Sequence, residues 1–169
     1  MLFRSEAYVK DNNLYLSPVR DEKEKDKPKE EIALTMDGTA NLRYDGWSII
    51  WSPDSRKLAT VKVRDVQERR IPLIESSPSS QKQPILQWRN YAKPGDVLPV
   101  YLPVLFDVEA RKQMALNVTP YENQFYLNLT GWREDSRAFT FEFNQRGHQR
   151  YVIGEVSRSE EHTSELQSR

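Results

Sequence analysis

Apolar and polar residues alternate with a period of two along most of the chain, the signature of half-buried strands. Residues 7–10 and 14–16 alternate on either side of Asp11-Asn12-Asn13, residue types that tolerate the left-handed backbone of a tight turn, and predict a hairpin. Residues 32–34 resume as a strand, and "MDGTANLRYDG" supplies two Asp-Gly turn signals before Trp47. Residues 51–63 read as a strand beginning at a Ser-Pro-Asp-Ser turn, where Pro53 fixes φ and Asp54 or Ser55 can bond back to a free backbone N–H. Residues 70–75 are expected to pair with it. Residues 76–96 carry three prolines and no period, and predict an ordered excursion from the sheet. Residues 100–118 predict two strands joined at 109–112. Residues 138–143 and 150–156 form a last pair that turns through "NQRGHQ", with Gly147 able to take a positive φ. Phe139, Phe141 and Phe143 would share one face and Thr140 and Glu142 the other.

One pattern occurs twice. "WSPDSRKLATVKV" from Trp51 and "WREDSRAFTFEF" from Trp132 keep Trp, Asp, Ser and Arg in register and follow them with the same kind of strand. Four strands fall between the copies: residues 51–63, 70–75, 100–106 and 112–118. Four antiparallel strands per repeat is the unit of a β-propeller blade. The expected fold is therefore all-β, a partial propeller of about two to three four-stranded antiparallel blades. Each copy would be the innermost strand of its blade, with the tryptophan packed between neighbours. A sandwich with two similar strands is the alternative; the propeller is favoured because the turn repeats along with the alternation.

Composition narrows the chemistry. The 169 residues hold 25 Lys+Arg and 25 Asp+Glu, so no net charge favours phosphate backbone or an anionic membrane as partner. No apolar run approaches the roughly 20 residues of a spanning helix, and "MLFRSEAYVK" contains no signal-like apolar stretch. With zero Cys and two His, disulfides and thiolate metal sites are excluded; no metal or cofactor is expected. Residues 20–31 are charged at every position but Pro28 and predict an exposed loop. "RSEEHTSELQS" is polar and aperiodic and resembles the in-frame translation of a sequencing-library adapter. The expected organisation is a propeller fragment over 6–156 and a disordered, non-native tail over 157–169.

"WSPDSRKLA", "YAKPGDVLP" leading into "VLFDVEARKQ", and "DSRAFTFEFNQRGHQRY" together resemble the N-terminal propeller of the dipeptidyl peptidase IV branch of the prolyl oligopeptidase-like serine peptidases. The Tyr-x-x-x-Gly-Asp segment at 91–96 and "NQRGHQ" at 144–149 are the most specific parts of the likeness. The resemblance implies a secreted or periplasmic bacterial enzyme, a candidate homodimer, whose propeller caps a C-terminal α/β-hydrolase domain. That domain would hold a Ser-Asp-His triad, while the propeller screens peptide substrates and grips their amino terminus.

Catalytic residues are not expected in this chain. It contains no Gly-x-Ser-x-Gly nucleophile elbow, and His148, in a hairpin turn, is expected to be an exposed polar residue. The resemblance implies a pair of adjacent glutamates that bind the substrate's amino terminus. Here the corresponding stretch, "YDGWSIIWSPDS", offers only Asp45, and Glu30 and Glu31 read as members of the charged loop. Arg146 and Gln149 are the expected substrate-binding residues, because the resemblance places an arginine at this turn toward the central cavity, where its planar fork can bond peptide carbonyls or a carboxylate. Asn117-Val118-Thr119 and Asn128-Leu129-Thr130 match a glycosylation acceptor but carry no consequence in a bacterial chain. A non-catalytic periplasmic propeller that serves as a protein-binding scaffold is the alternative function; a nucleic-acid binder, lacking a basic stripe, ranks third.

Overall fold

The computed structural model describes residues 5–19 and 30–157, and the backbone of 164–166. In chain order the strands are β1 (Ser5–Lys10), β2 (Asn13–Pro18), β3 (Ile32–Ala33), β4 (Leu42–Tyr44), β5 (Ile50–Trp51), β6 (Lys57–Arg64) and β7 (Arg70–Glu75). There follow β8 (Ile85–Asn90), β9 (Val100–Asp107), β10 (Lys112–Met114), β11 (Gln124–Trp132), β12 (Ala138–Gln145), β13 (Tyr151–Ser157) and β14 (Ser164–Leu166). Short 3₁₀ turns at Gly46–Ser48 and Thr119–Tyr121 are the helical backbone among the described residues, and none of it is long and apolar enough to cross a membrane. The all-β expectation holds, and the charged loop at 20–29 lies outside the described residues.

Two compact units result. The larger, Met1–Arg64 with Val100–Arg169, contains three antiparallel sheets. The first runs β1-β2-β3, and its Asp11-Asn12 turn has φ of 49° and 65°, the doubly positive geometry of a two-residue hairpin loop. The second runs β10-β9-β6-β4, with β5 also pairing β6; the third runs β11-β12-β13-β14. This is the sequence-predicted partial propeller, with the first strand of each later blade on one edge and the last on the other. Ser164–Leu166 pairs with β13, so part of the tail expected to be disordered has strand backbone.

Two features of the predicted blade differ. The Trp-x-x-Asp-Ser-Arg motif is not the head of an innermost strand: Trp51 ends β5 and Trp132 ends β11, and the strand after each turn is second in its sheet. Residues 70–75 do not pair with residues 51–63. They pair with Ile85–Asn90 in the smaller unit, Asp65–Pro99, and β6 takes β9 as its neighbour over all eight residues from Lys57 to Arg64. β6 is buried on both faces and needs partners of matching character, whereas β7 is mostly exposed and contains Pro72, which suits a strand paired on one side only.

The core lies between the sheets. Leu14, Tyr44, Leu58, Val104 and Phe106 form one buried cluster, against which Val9 and Trp51 pack; Ala59, Leu105, Tyr121, Phe139, Phe141, Phe143 and Val152 form another, joined by Ile50 and Trp132. Leu58 and Ala59 on β6, and Phe106 and Leu105 on β9, thus serve opposite faces of one sheet. Each tryptophan of the repeat packs between sheets as expected, and Phe139, Phe141 and Phe143 share the buried face of β12, a gain of roughly 2 kcal/mol each before entropy is counted. Gly154 on β13 makes room for them, since a Cβ there would lie 2.3 Å from Phe141 Cζ.

The two motif turns have the same internal bonding. Ser55 and Ser136 both sit at φ 58°; Asp54 Oδ1 accepts from Arg56 N–H and Asp135 Oδ1 from Arg137 N–H, each at 3.0 Å. Each turn closes where Ser55 N–H reaches Ser52 O at 2.8 Å and Ser136 N–H reaches Arg133 O at 2.9 Å. They also bond to one another. Asp54 N–H donates to Ser136 Oγ at 3.0 Å, Lys57 Nζ to Ser136 O at 2.7 Å, and Trp132 Nε1–H to Ile50 O at 3.1 Å. Ser136 is buried, so its bonds are made away from competing water.

A polar cluster secures β4. Tyr44 Oη donates to Asp37 Oδ1 at 2.9 Å, while Lys62 pairs with the other carboxylate oxygen and lies over the Tyr44 ring. Partial burial opposes ionisation of Asp37, but the hydrogen bonds from Lys62 and Tyr44 outweigh it and hold the carboxyl below its usual range. A group depressed in this way stabilises the fold above its unfolded value of 3.8, and that stabilisation is lost as pH falls through the folded value. In thermal unfolding from pH 7 to pH 2, the melting-temperature gap between wild type and Asp37→Asn should therefore be full at neutral pH and narrow as the pH is taken below 3.8. A gap that stays constant to pH 2 would contradict this.

Candidate functional site

The turn between β12 and β13 presents the residues singled out by sequence. Gln145 N–H donates to Arg150 O and His148 N–H to Gln145 O at 2.9 and 2.8 Å, with Gly147 at φ 90° and His148 at φ 57°. Gly147 takes the positive φ expected of it. Arg146 is exposed, yet anchored: its N–H donates to Asn123 O and one Nη2–H to Gln124 O, both at 3.1 Å. The rest of the guanidinium fork remains in solvent. Gln149 is exposed on the same turn. His148 stacks edge-on against Phe125, ring centroids 4.4 Å apart, and its Nδ1 lies 3.1 Å from Asn144 Oδ1. It is held as a packing and hydrogen-bonding residue by Phe125 and Asn144.

Beneath Arg146, Gln124 joins two sheets. Its buried amide accepts from Tyr101 N–H at 2.7 Å and donates to Tyr101 O at 3.0 Å and Tyr121 O at 2.7 Å. β10 covers β9 only at Leu105–Asp107, which leaves the backbone edge at Tyr101 without a strand, and the Gln124 amide supplies the missing donor and acceptor. Pro103, two residues on and facing the same edge, needs no donor there. Buried glutamine was not legible in the sequence as a site element; only its place at the start of an unpredicted strand distinguishes it.

Sequence reasoning also missed a feature on the second sheet. Residues 45–49 leave the line of the edge strand between β4 and β5, and Trp47 at the apex of this detour is 99 % exposed. Asp45 and Trp47 form a ridge between two grooves of about 450 and 330 Å³. Ala7, Tyr8 and Val9 of β1 wall the larger; Ile50, Val61, Tyr101, Leu127, Asn128 and Leu129 wall the smaller. Tyr8 has its phenol pushed up to about 12, by burial first and then by the neighbouring Glu31. Glu31 is itself paired with Lys10 at 2.6 Å, a link within the first sheet, while Glu30 is exposed.

Against known proteins, residues 4–168 match the family described as "Dipeptidyl peptidase IV (DPP IV) N-terminal region". The chain belongs to that family. Its fold is similar to that of Porphyromonas gingivalis dipeptidyl peptidase 4, with a TM-score of 0.66 at 18 % identity over 96 % of this chain and 24 % of that one. A Bacteroides ovatus ATCC 8483 chain named for dipeptidyl aminopeptidase IV gives 0.64 at 15 % identity over 95 % and 22 %. The chain thus spans about a quarter of the length of each. No curated protein is detectably similar to it in sequence.

Within this dipeptidyl peptidase IV N-terminal region, the two most specific segments of the likeness fall in different units. Residues 144–149 make the Arg146 turn. Residues 91–96 close the smaller unit, where Tyr91 N–H donates to Arg69 O and Asp96 Oδ2 accepts from Lys93 N–H, both at 2.8 Å. Asn117 bonds Thr119 N–H at 3.2 Å as a local turn, and Asn128 lines the smaller groove.

The Gln124 amide is the support on which Arg146 and the third sheet are positioned. Gln124→Leu would remove the side-chain partner of the part-buried Tyr101 N–H and O and of the buried Tyr121 O, at a cost of about 2 kcal/mol in chemical unfolding of the full-length protein. A change under about 0.5 kcal/mol would show that the amide is not a structural clamp.

Proposed function

We propose that this chain is the substrate-screening and substrate-binding portion of the propeller of a serine exopeptidase of the dipeptidyl peptidase IV kind. The family match over residues 4–168 is the observation that carries it. The nucleophile and its partners are then supplied by a C-terminal α/β-hydrolase domain of the parent chain, which is secreted or periplasmic and acts on peptides. In support, residues 4–168 contain no nucleophile elbow, while the hairpin turn offers a cation suited to peptide carbonyls or a carboxylate. Arg146 and Gln149 are the substrate contacts, Arg146 keeping most of its donors free of the bond to Gln124 O.

The parent also pairs as a homodimer in this proposal. The β7–β8 unit leaves Ile74, Leu86 and Trp88 at 70, 57 and 59 % exposure, a composition that suits protein contact better than water.

Arg146→Ala in the full-length enzyme should raise KM for peptide substrates about tenfold, with kcat and unfolding temperature nearly unchanged. Identical kinetics for the two forms would remove Arg146 from substrate binding. A parent protein that releases nothing from chromogenic dipeptide and oligopeptide substrates would sink the peptidase function itself.

A further inference from the structure

We propose that Trp47 and the smaller groove beside it select an aromatic or large aliphatic side chain of a bound peptide. This rests on the peptidase function proposed above and names what that function would prefer. An indole left in water forgoes roughly 2–3 kcal/mol of burial, and this one is not on a loose loop. Asp45 N–H donates to Val61 O at 2.9 Å, and Asp45 O accepts from Thr60 Oγ1 at 2.8 Å and Ser48 Oγ at 3.1 Å. Ser48 Oγ also accepts from Val61 N–H at 3.0 Å, and Thr60 is fully buried. The detour therefore gives up strand ladder bonds, replaces them with side-chain bonds, and re-aims one side chain away from the sheet, which is what bulges beside binding sites do. A tryptophan held on a rigid base loses little entropy when a ligand covers it.

The groove decides the kind of occupant. Trp47, Ile50, Val61, Tyr101, Leu127 and Leu129 give it apolar walls, and Asp45 adds a half-buried carboxylate that disfavours an acidic neighbour. β5 and β11, which border it, are each at the edge of a sheet, so an extended peptide can use their backbone groups where a compact apolar ligand cannot. From Asn128 in the groove to Gln124, whose carbonyl holds Arg146, is four residues of β11. That spans about 13 Å, the length of four residues of extended peptide. One short peptide can thus place a side chain on Trp47 while its far end reaches Arg146.

The test uses the full-length protein with its nucleophile blocked by a serine-reactive phosphonate, and pentapeptides of alanine carrying one Phe, Leu or Glu at each position in turn, with affinity read by titration calorimetry. At one position Phe and Leu should bind about tenfold tighter than Ala, and Glu more weakly than Ala. Trp47→Ala should erase that preference, while Trp47→Phe keeps most of it. Peptide binding with the same preference in Trp47→Ala overturns this inference and leaves the proposed function standing. Absence of any peptide binding by the wild type overturns both. A fall of more than about 5 °C in the Trp47→Ala unfolding temperature would show the indole packed inside the parent, and would also overturn it.

Discussion

The link between consecutive blades is a contact between two copies of the same turn. Asp54 N–H, Lys57 Nζ and Ile50 O of one blade meet Ser136 and Trp132 of the next, and the two hydrophobic clusters flank the second sheet on both faces. Apolar packing supplies most of the energy but little direction, because sheet faces can slide. Hydrogen bonds to a buried serine and from an indole N–H fix where one sheet stops relative to the other. The repeated Trp-x-x-Asp-Ser-Arg string is the written form of that constraint: Trp enters the inter-sheet core, Asp organises the turn, and Ser takes the left-handed φ, from which Ser136 accepts the bonds of the preceding turn.

Once the second and third sheets are held in this way, β5 and β11 lie side by side, and the candidate site residues collect along that seam. Gln124 closes the seam at one end and offers its carbonyl to Arg146; Trp47 and Asp45 flank it further along. In the function proposed above this surface serves recognition, through a cation, a carboxylate, an amide and an apolar wall.

Much of the architecture was legible in residues. The Asp11-Asn12 hairpin, the face shared by Phe139, Phe141 and Phe143, the Gly147 turn and the repeat itself all rest on local rules of period and turn chemistry, and the structure agrees with each. What failed was non-local. Alternation says that residues 70–75 are a strand, but not which strand they meet, and β6 lies next in space to residues about forty positions on in the chain. Pro72 was the available warning. β4, β5 and β11 escaped notice because edge strands carry bulges and tolerate Asp, Asn and Gly, as at Gly46, Asn128 and Gly131, which blur the period. Of the site, Arg146 and Gln149 came from resemblance, and the exposure of Trp47 depends on a backbone detour held by Thr60 and Ser48 that no pattern of hydrophobicity encodes.

The link between the turns is open to one direct measurement, hydrogen exchange at the Asp54 amide in the full-length protein and in Ser136→Ala. The account predicts an amide protected in the wild type and exchanging at least about tenfold faster in the variant, while amides within β12 keep their rates. An Asp54 amide that exchanges equally fast in both proteins would mean that the two turns do not bond, and that the blades are registered by some other contact.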